Sequence, residues 1–177
     1  MRIISGQYKR RKINPPKNLP VRPTTDMAKE SIFNILNNHY YFDDICVLDL
    51  FAGTGNISYE FASRGSEDII AVDNHLRCIQ FINNTAELFE MPIKTIKSDV
   101  FKFLEGTTQK ADVIFADPPY DFSENQFKNI VGLVFDNNLL NEDGLLIIEH
   151  SRRTDLSTQP HYIYSKTYGG NVFSFFE

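Results

Sequence analysis

Apolar and polar positions divide the chain into a short opening stretch and a long run of alternating strand-like and helix-like segments. Residues 2–5 and 8–13 flank Gly6-Gln7 and predict two short strands of a small hairpin. Prolines at 15, 16, 20 and 23 then stiffen an extended connection. From Thr25, the positions Ala28, Ile32, Ile35 and Leu36 share one helical face. The segments 45–50, 68–73, 92–97, 111–116 and 144–149 predict five strands, the first of them buried. A helix from Asn56 has a natural stop at Gly65. The next, over 75–90, turns Leu76, Ile79, Ile82, Ala86 and Phe89 inward. A third opens at Ser123, where Gln126 completes a capping box, and buries Phe127, Ile130, Val131 and Val134. Residues 161–168 and 172–176, joined by Gly169-Gly170, predict a closing hairpin.

Repeated βα units of this length force parallel strands, right-handed crossovers and helices on both faces. The expected fold is therefore α/β: a Rossmann-like, doubly wound, mainly parallel seven-stranded sheet closed by an antiparallel C-terminal hairpin, with a small N-terminal β-hairpin arm. The expected division is an arm over 1–24 and a main domain over 25–177. A length of 177 residues suits one core, and 42% hydrophobic content excludes a disordered chain. No apolar run approaches the roughly 20 residues of a membrane span, and no secretory signal is expected after Met1. Cys46 and Cys78 read as buried free thiols, and the four histidines lack metal-ligand spacing, so no metal is expected. A cytoplasmic monomer is the expectation.

Charge changes the picture. The first 25 residues hold seven of the 18 cations and none of the 23 acids, although the whole chain carries −5. A basic arm on an acidic body points to a polyanionic partner such as nucleic acid, with Arg2, Lys9, Arg10, Arg11, Lys12 and Arg22 as candidate contacts.

Val47-Leu48-Asp49-Leu50-Phe51-Ala52-Gly53-Thr54-Gly55 leaves a strand and enters a helix. Gly53 and Gly55 permit a sharp turn and close approach by a ligand. The third glycine of the dinucleotide fingerprint falls at Ser58, which weakens a nicotinamide reading. Asp49 opposes a pyrophosphate but suits a ligand with an ammonium group, such as the methionine end of S-adenosylmethionine. Asp73, at the end of the next strand, stands where an acid accepts from ribose hydroxyls. Ser98-Asp99, after the third strand, are candidates for the adenine amine, and Phe51 and Asn74 complete the cofactor set.

The fourth strand runs into Asp117-Pro118-Pro119-Tyr120, which a doubly wound sheet brings beside the glycine loop. Two prolines make a stiff turn with free carbonyls, and Tyr120 can stack on a planar base. An exocyclic base amine is a poor nucleophile because its lone pair is delocalised. Acceptors at Asp117 and Pro118 favour the pyramidal, charged nitrogen of the transition state. Glu149 and His150 end the fifth strand, where polar residues usually meet water.

The blocks Arg2-Ile3-Ile4-Ser5-Gly6-Gln7, Arg22-Pro23-Thr24-Thr25-Asp26, Phe51-Ala52-Gly53-Thr54-Gly55 and Asp117-Pro118-Pro119-Tyr120 together resemble the RsmD family over nearly the whole chain. That resemblance implies a class I methyltransferase fold and transfer of a methyl group to the N2 amine of a guanine in 16S ribosomal RNA. It also places Thr24 over the cofactor, and the basic arm on RNA within an assembling small subunit. The sequence departs from the family at Asn56-Ile57-Ser58, where smaller apolar residues are common. The alternatives are amino-methylation of DNA or another RNA, a nicotinamide-linked oxidoreductase, and a non-catalytic RNA-binding assembly factor.

Overall fold

A computed structural model describes residues 1–16, 19 and 24–177. Arg22, Pro20 and Pro23 lie outside the described residues. The helices are α1 (Asp26–Leu36), α2 (Asn56–Arg64), α3 (Leu76–Leu88), α4 (Val100–Gly106) and α5 (Glu124–Asp136), with a short 3-10 turn at Phe42–Asp44. The strands are β1 (Cys46–Leu50), β2 (Asp68–Asp73), β3 (Ile93–Lys97), β4 (Ala111–Ala116), β5 (Leu140–Ser151), β6 (Tyr162–Tyr168) and β7 (Asn171–Phe176). They form one sheet in the order β3-β2-β1-β4-β5-β7-β6. Strands β1 to β5 are parallel, while β7 runs antiparallel to β5 and β6. This is the expected doubly wound sheet with its closing hairpin.

Local sequence accounts for several boundaries. Thr25 Oγ1 accepts from Ala28 N at 3.2 Å and starts α1. Ser123 and Gln126 form the capping box of α5, and Gly65, with φ of 116°, ends α2. One apolar layer gathers Ile32, Phe33, Phe61 and Ile82 from α1, α2 and α3. The other gathers Leu104, Ile130 and Val134 from α4 and α5. Because β2 and β3 lie on one side of β1, and β4 and β5 on the other, the chain reverses direction between β1 and β4. Asp49 pairs in register with Phe115 and Leu50 with Ala116, so the segments leaving these two strands emerge side by side.

Four local expectations are corrected. Helix α4 has no counterpart among the expected elements, because seven residues hold too few turns for a clear apolar period. Leu76 is 52% exposed, since the inward stripe of α3 begins only at Cys78 and Ile79. Cys46 is half-buried, while Cys78 is fully buried. The N-terminal hairpin reduces to a single bridge between Arg2 and Lys12. The cause is tertiary: Gln7 N donates to Ser63 O at 2.6 Å and Tyr8 N to Ser63 Oγ at 3.0 Å, drawing the turn onto α2. Gly6 sits there at φ of 81°, and a Cβ would stand 1.7 Å from the Ser63 carbonyl oxygen.

Beneath this docked segment lies a buried ionic cluster. Glu60, fully buried, accepts from Ile4 N at 2.8 Å and Ser5 N at 3.0 Å. It also pairs with Lys29 at 3.3 Å and Arg64 at 2.9 Å. Lys29 Nζ donates further to Arg2 O at 2.7 Å and Asn56 Oδ1 at 2.9 Å. Burial holds the Lys29 ammonium below its usual pKa, against the pull of Glu60. Removing one member strands the other in an apolar layer. Glu60→Ala is expected to lower the unfolding free energy by about 3–5 kcal/mol in urea titrations and to open residues 1–13 to trypsin. Parental stability in that variant would show that the cluster does not hold the segment.

Candidate active site

A cavity of about 590 Å³ opens where β1 and β4 diverge. The turn after β1 is built from left-handed residues: Phe51 (φ 58°), Gly53 (φ 54°) and Gly55 (φ 78°). Left-handed backbone at a bulky residue such as Phe51 is costly and is held by its surroundings. Ala52 N donates to Val72 O at 3.0 Å, and Gly55 N to Ala52 O at 2.7 Å. At Gly55 a Cβ would come 2.8 Å from the Tyr59 ring, so Gly55 serves the turn and does not line the cavity.

Two of the candidate acids also support this turn. Asp73 accepts from Gly53 N at 2.8 Å through Oδ2 and from His75 N at 2.7 Å through Oδ1. The Gly53 amide, which could have faced a phosphate, is thus already answered by a carboxylate. Asp49 Oδ2 accepts from Ser58 N at 3.1 Å and Ser58 Oγ at 2.5 Å, capping the first turn of α2 where Gly55 has no side chain. Ser58, which interrupts the dinucleotide fingerprint, is therefore the partner of Asp49. Both bonds fall on Oδ2, so Oδ1 is the oxygen left for a ligand.

Of the sequence candidates, Thr24, Asp49, Phe51, Gly53, Asp73, Asn74, Asp99, Asp117, Pro118, Pro119 and Tyr120 all line the cavity. Ser98 does not; its hydroxyl turns to Asp99 O at 2.9 Å. Asp99 doubles as the cap of α4, accepting from Lys102 N at 3.1 Å. The sequence reading missed Phe101, Phe122, His75 and Gln126. Phe122 stacks on Phe101 at 6.0 Å and meets Phe51 edge-on at 5.5 Å, making an aromatic wall. The only signal for it was position, two residues beyond Asp99 and two beyond Tyr120. The buried Nδ1 of His75 has no hydrogen-bond partner among the described residues.

Four carboxylates and no Lys or Arg stand among the described lining residues. Burial, only partly offset by the Ser58 bonds, pushes Asp49 up to about 7. Asp117 is raised by burial first, then by the charges of Glu149 and Asp49. Glu149 and His150 are both buried, not solvated as strand-end polar residues usually are. Glu149 accepts from Thr24 Oγ1 at 3.0 Å, and His150 Nε2 lies 2.8 Å from Ser174 Oγ. Such a cavity repels phosphates and attracts a cation. Among the described residues no cluster of His, Cys, Asp and Glu could hold a metal, and no helix is long and apolar enough to cross a membrane.

Comparisons with known proteins identify the family and the fold. A family model described as Conserved hypothetical protein 95 matches residues 1–177. The chain is 36% identical over 161 residues to "Putative rRNA methyltransferase YlbH" of Bacillus subtilis, covering 88% of this chain and 85% of that one. It is 32% identical over 162 residues to Ribosomal RNA small subunit methyltransferase D of Escherichia coli K12, covering 90% and 79%. The solved "Putative methyltransferase yhhF" of Escherichia coli matches with a TM-score of 0.85 at 29% identity, over 99% of this chain and 96% of that one. The T. thermophilus 16S rRNA N2 G1207 methyltransferase RsmC, solved with AdoMet and guanosine, matches with a TM-score of 0.70. That likeness, at 18% identity over 90% of this chain and 45% of that one, concerns the fold alone.

The acidity has a measurable consequence. A carboxyl raised from 3.8 to about 7 in the folded state costs stability as pH climbs through that window, because the unfolded chain releases its proton first. Every tenfold difference in proton affinity between the two states corresponds to about 1.4 kcal/mol. Asn at position 49 keeps an acceptor for Ser58 without the charge. In thermal melts of the ligand-free protein, Asp49→Asn is expected to gain stability over the parent at about pH 8 and little at about pH 4. An effect independent of pH would show that the buried charge is not what costs stability.

Proposed function

The chain belongs to the RsmD family of rRNA methyltransferases, and on that premise we propose that it transfers a methyl group from S-adenosylmethionine to the exocyclic N2 amine of a specific guanine in 16S ribosomal RNA, during assembly of the 30S subunit. The observation that carries this reading is the seat of Asp117 and Pro118 on the wall of an acidic cavity at the point where the sheet reverses direction. The residues suit the donor: Asp49 for its ammonium group, Asp73 for its ribose hydroxyls, and the wall of Phe51, Phe101 and Phe122 with Asp99 for its adenine. When bound, S-adenosylmethionine supplies an electrophilic sulfonium methyl group. The surrounding carboxylates favour its positive charge, and no Lys or Arg stands among the described lining residues to offset a pyrophosphate.

The chain's own groups act on the amine. The Asp117 carboxylate and the Pro118 carbonyl accept the two N–H bonds and stabilise positive charge as it grows on nitrogen. The raised pKa of Asp117 makes it a competent acceptor for the proton the amine sheds. Tyr120, 49% exposed at the rim, presents its ring to a base drawn out of its stack. Lys9, Arg10, Arg11 and Lys12 are exposed on the arm, where they can neutralise RNA phosphates. Arg2, by contrast, is paired with Asp26 at 3.1 Å.

The direct test incubates the protein with methyl-labelled S-adenosylmethionine and unmodified 30S subunits and maps the labelled atom. Label on a guanine N2 is expected; label elsewhere, or none, refutes the assignment. Asp117→Asn is expected to lower kcat by about 10²–10³ and leave S-adenosylmethionine affinity within about threefold. In the parent, the acid limb of the kcat profile should lie above the ordinary carboxylate range, because activity is lost as pH falls through the raised pKa of Asp117. Neutralising the four exposed arm cations should reduce the salt dependence of RNA binding by about three to four in log–log slope. An unchanged slope would remove the arm from the interface.

A further inference from the structure

Asn171 begins β7 directly after the Gly169-Gly170 turn, where the sequence reads as turn chemistry and nothing more. Its side chain does something else. Tyr120 Oη donates to Asn171 Oδ1 at 3.3 Å, and Asn171 Nδ2 donates to Glu149 Oε1 at 2.5 Å. The other oxygen of Glu149 accepts from Thr24 Oγ1. We infer that Asn171 is a positioning residue for methyl transfer: through its amide it orients the base-stacking ring of Tyr120 against the carboxylate cluster that surrounds Asp117. This rests on the reading of Tyr120 as the platform for the target base.

The chemistry of the amide supports the assignment. A carboxylate only accepts, so the NH₂ end must face Glu149, and the oxygen is then left for a hydroxyl donor. An aspartate could not donate to Glu149, and an apolar residue could serve neither partner. The arrangement bridges two places far apart in sequence, the loop after β4 and the turn before β7. It also ties the hydroxyl of Tyr120 while its ring stays half-exposed. A ring held at its tip has fewer orientations to lose when a base stacks on it, so the interaction favours the transfer step through preorganisation. Glu149 is the first charge acting on Asp117, so the same amide links the platform to the group that handles the amine.

The experiment is a double-variant cycle in the full chain, read as single-turnover methyl transfer to unmodified 30S subunits at saturating S-adenosylmethionine. Tyr120→Phe removes only the hydroxyl; Asn171→Ala removes the bridge. Each is expected to slow transfer by about three- to tenfold, the size of one hydrogen bond, with S-adenosylmethionine affinity unchanged. The combined variant should be no slower than the slower single one, because both break the same link. Effects that multiply, or a parental rate in either single variant, overturn the inference, as does a rate loss matched by lost S-adenosylmethionine affinity. Tyr120→Ala separates the two levels. If it transfers at the parental rate, the stacking reading itself fails. If it is strongly impaired while Asn171→Ala is not, only the role of Asn171 fails.

Discussion

Four groups converge on the carboxylate of Glu60: the Ile4 and Ser5 amides, the Lys29 ammonium and the Arg64 guanidinium. A charge without solvent contact is tolerable only when it is satisfied this fully. The cluster joins the N-terminal segment, α1 and α2 into one body, and Ile3 and Ile13 complete the apolar layer above them. It also reaches the cavity. Lys29 holds Asn56 Oδ1, and Asn56 Nδ2 holds Thr24 O at 3.1 Å, so the start of α2 and the approach to α1 are set by the same charges. Asn56 thereby has a physical role.

The second constraint is the concentration of acid at the carboxyl ends of the strands. Asp49, Asp73 and Asp99 each shape the backbone around the cavity: one caps α2, one pins the glycine turn, one caps α4. Each is therefore both scaffold and candidate ligand group. Burial of Asp49 and Asp117, with some mutual repulsion, destabilises the ligand-free protein, and a bound cation offsets it, so stability and ligand preference come from the same charges. The basic arm sits apart, on the outer side of α2 and α3, where Arg11 lies over the Phe89 ring and Tyr8 Oη reaches Phe89 O. Opposite charges thus occupy different surfaces, one suited to a sulfonium and the other to phosphates.

How much of this could be read along the chain follows from the range of each interaction. Gly65, the Ser123–Gln126 box and the inward stripe of α5 depend on neighbours within one or two turns, and all appeared as expected. The short helix α4 and the N-terminal pairing did not. One lacks enough turns to show a period, and the other is decided by Ser63 on a different element. Phe101 and Phe122 carried no signal of their own along the chain; their rings meet because α4 and the loop after β4 converge.

The amino-acid order alone determined the alternation of strands and helices, hence the doubly wound sheet, and the arrival of the glycine turn and Asp117-Pro118-Pro119-Tyr120 at one edge. Those features follow from apolar period and from the handedness of βα crossovers, which are local or topological. Tertiary structure decided which polar groups answer one another: Glu60 with Ile4, 56 positions away, and Tyr120 with Asn171, 51 positions away. The physical reason is that a buried charge or amide must find its partner in space, and no periodicity along the chain records where that partner will be.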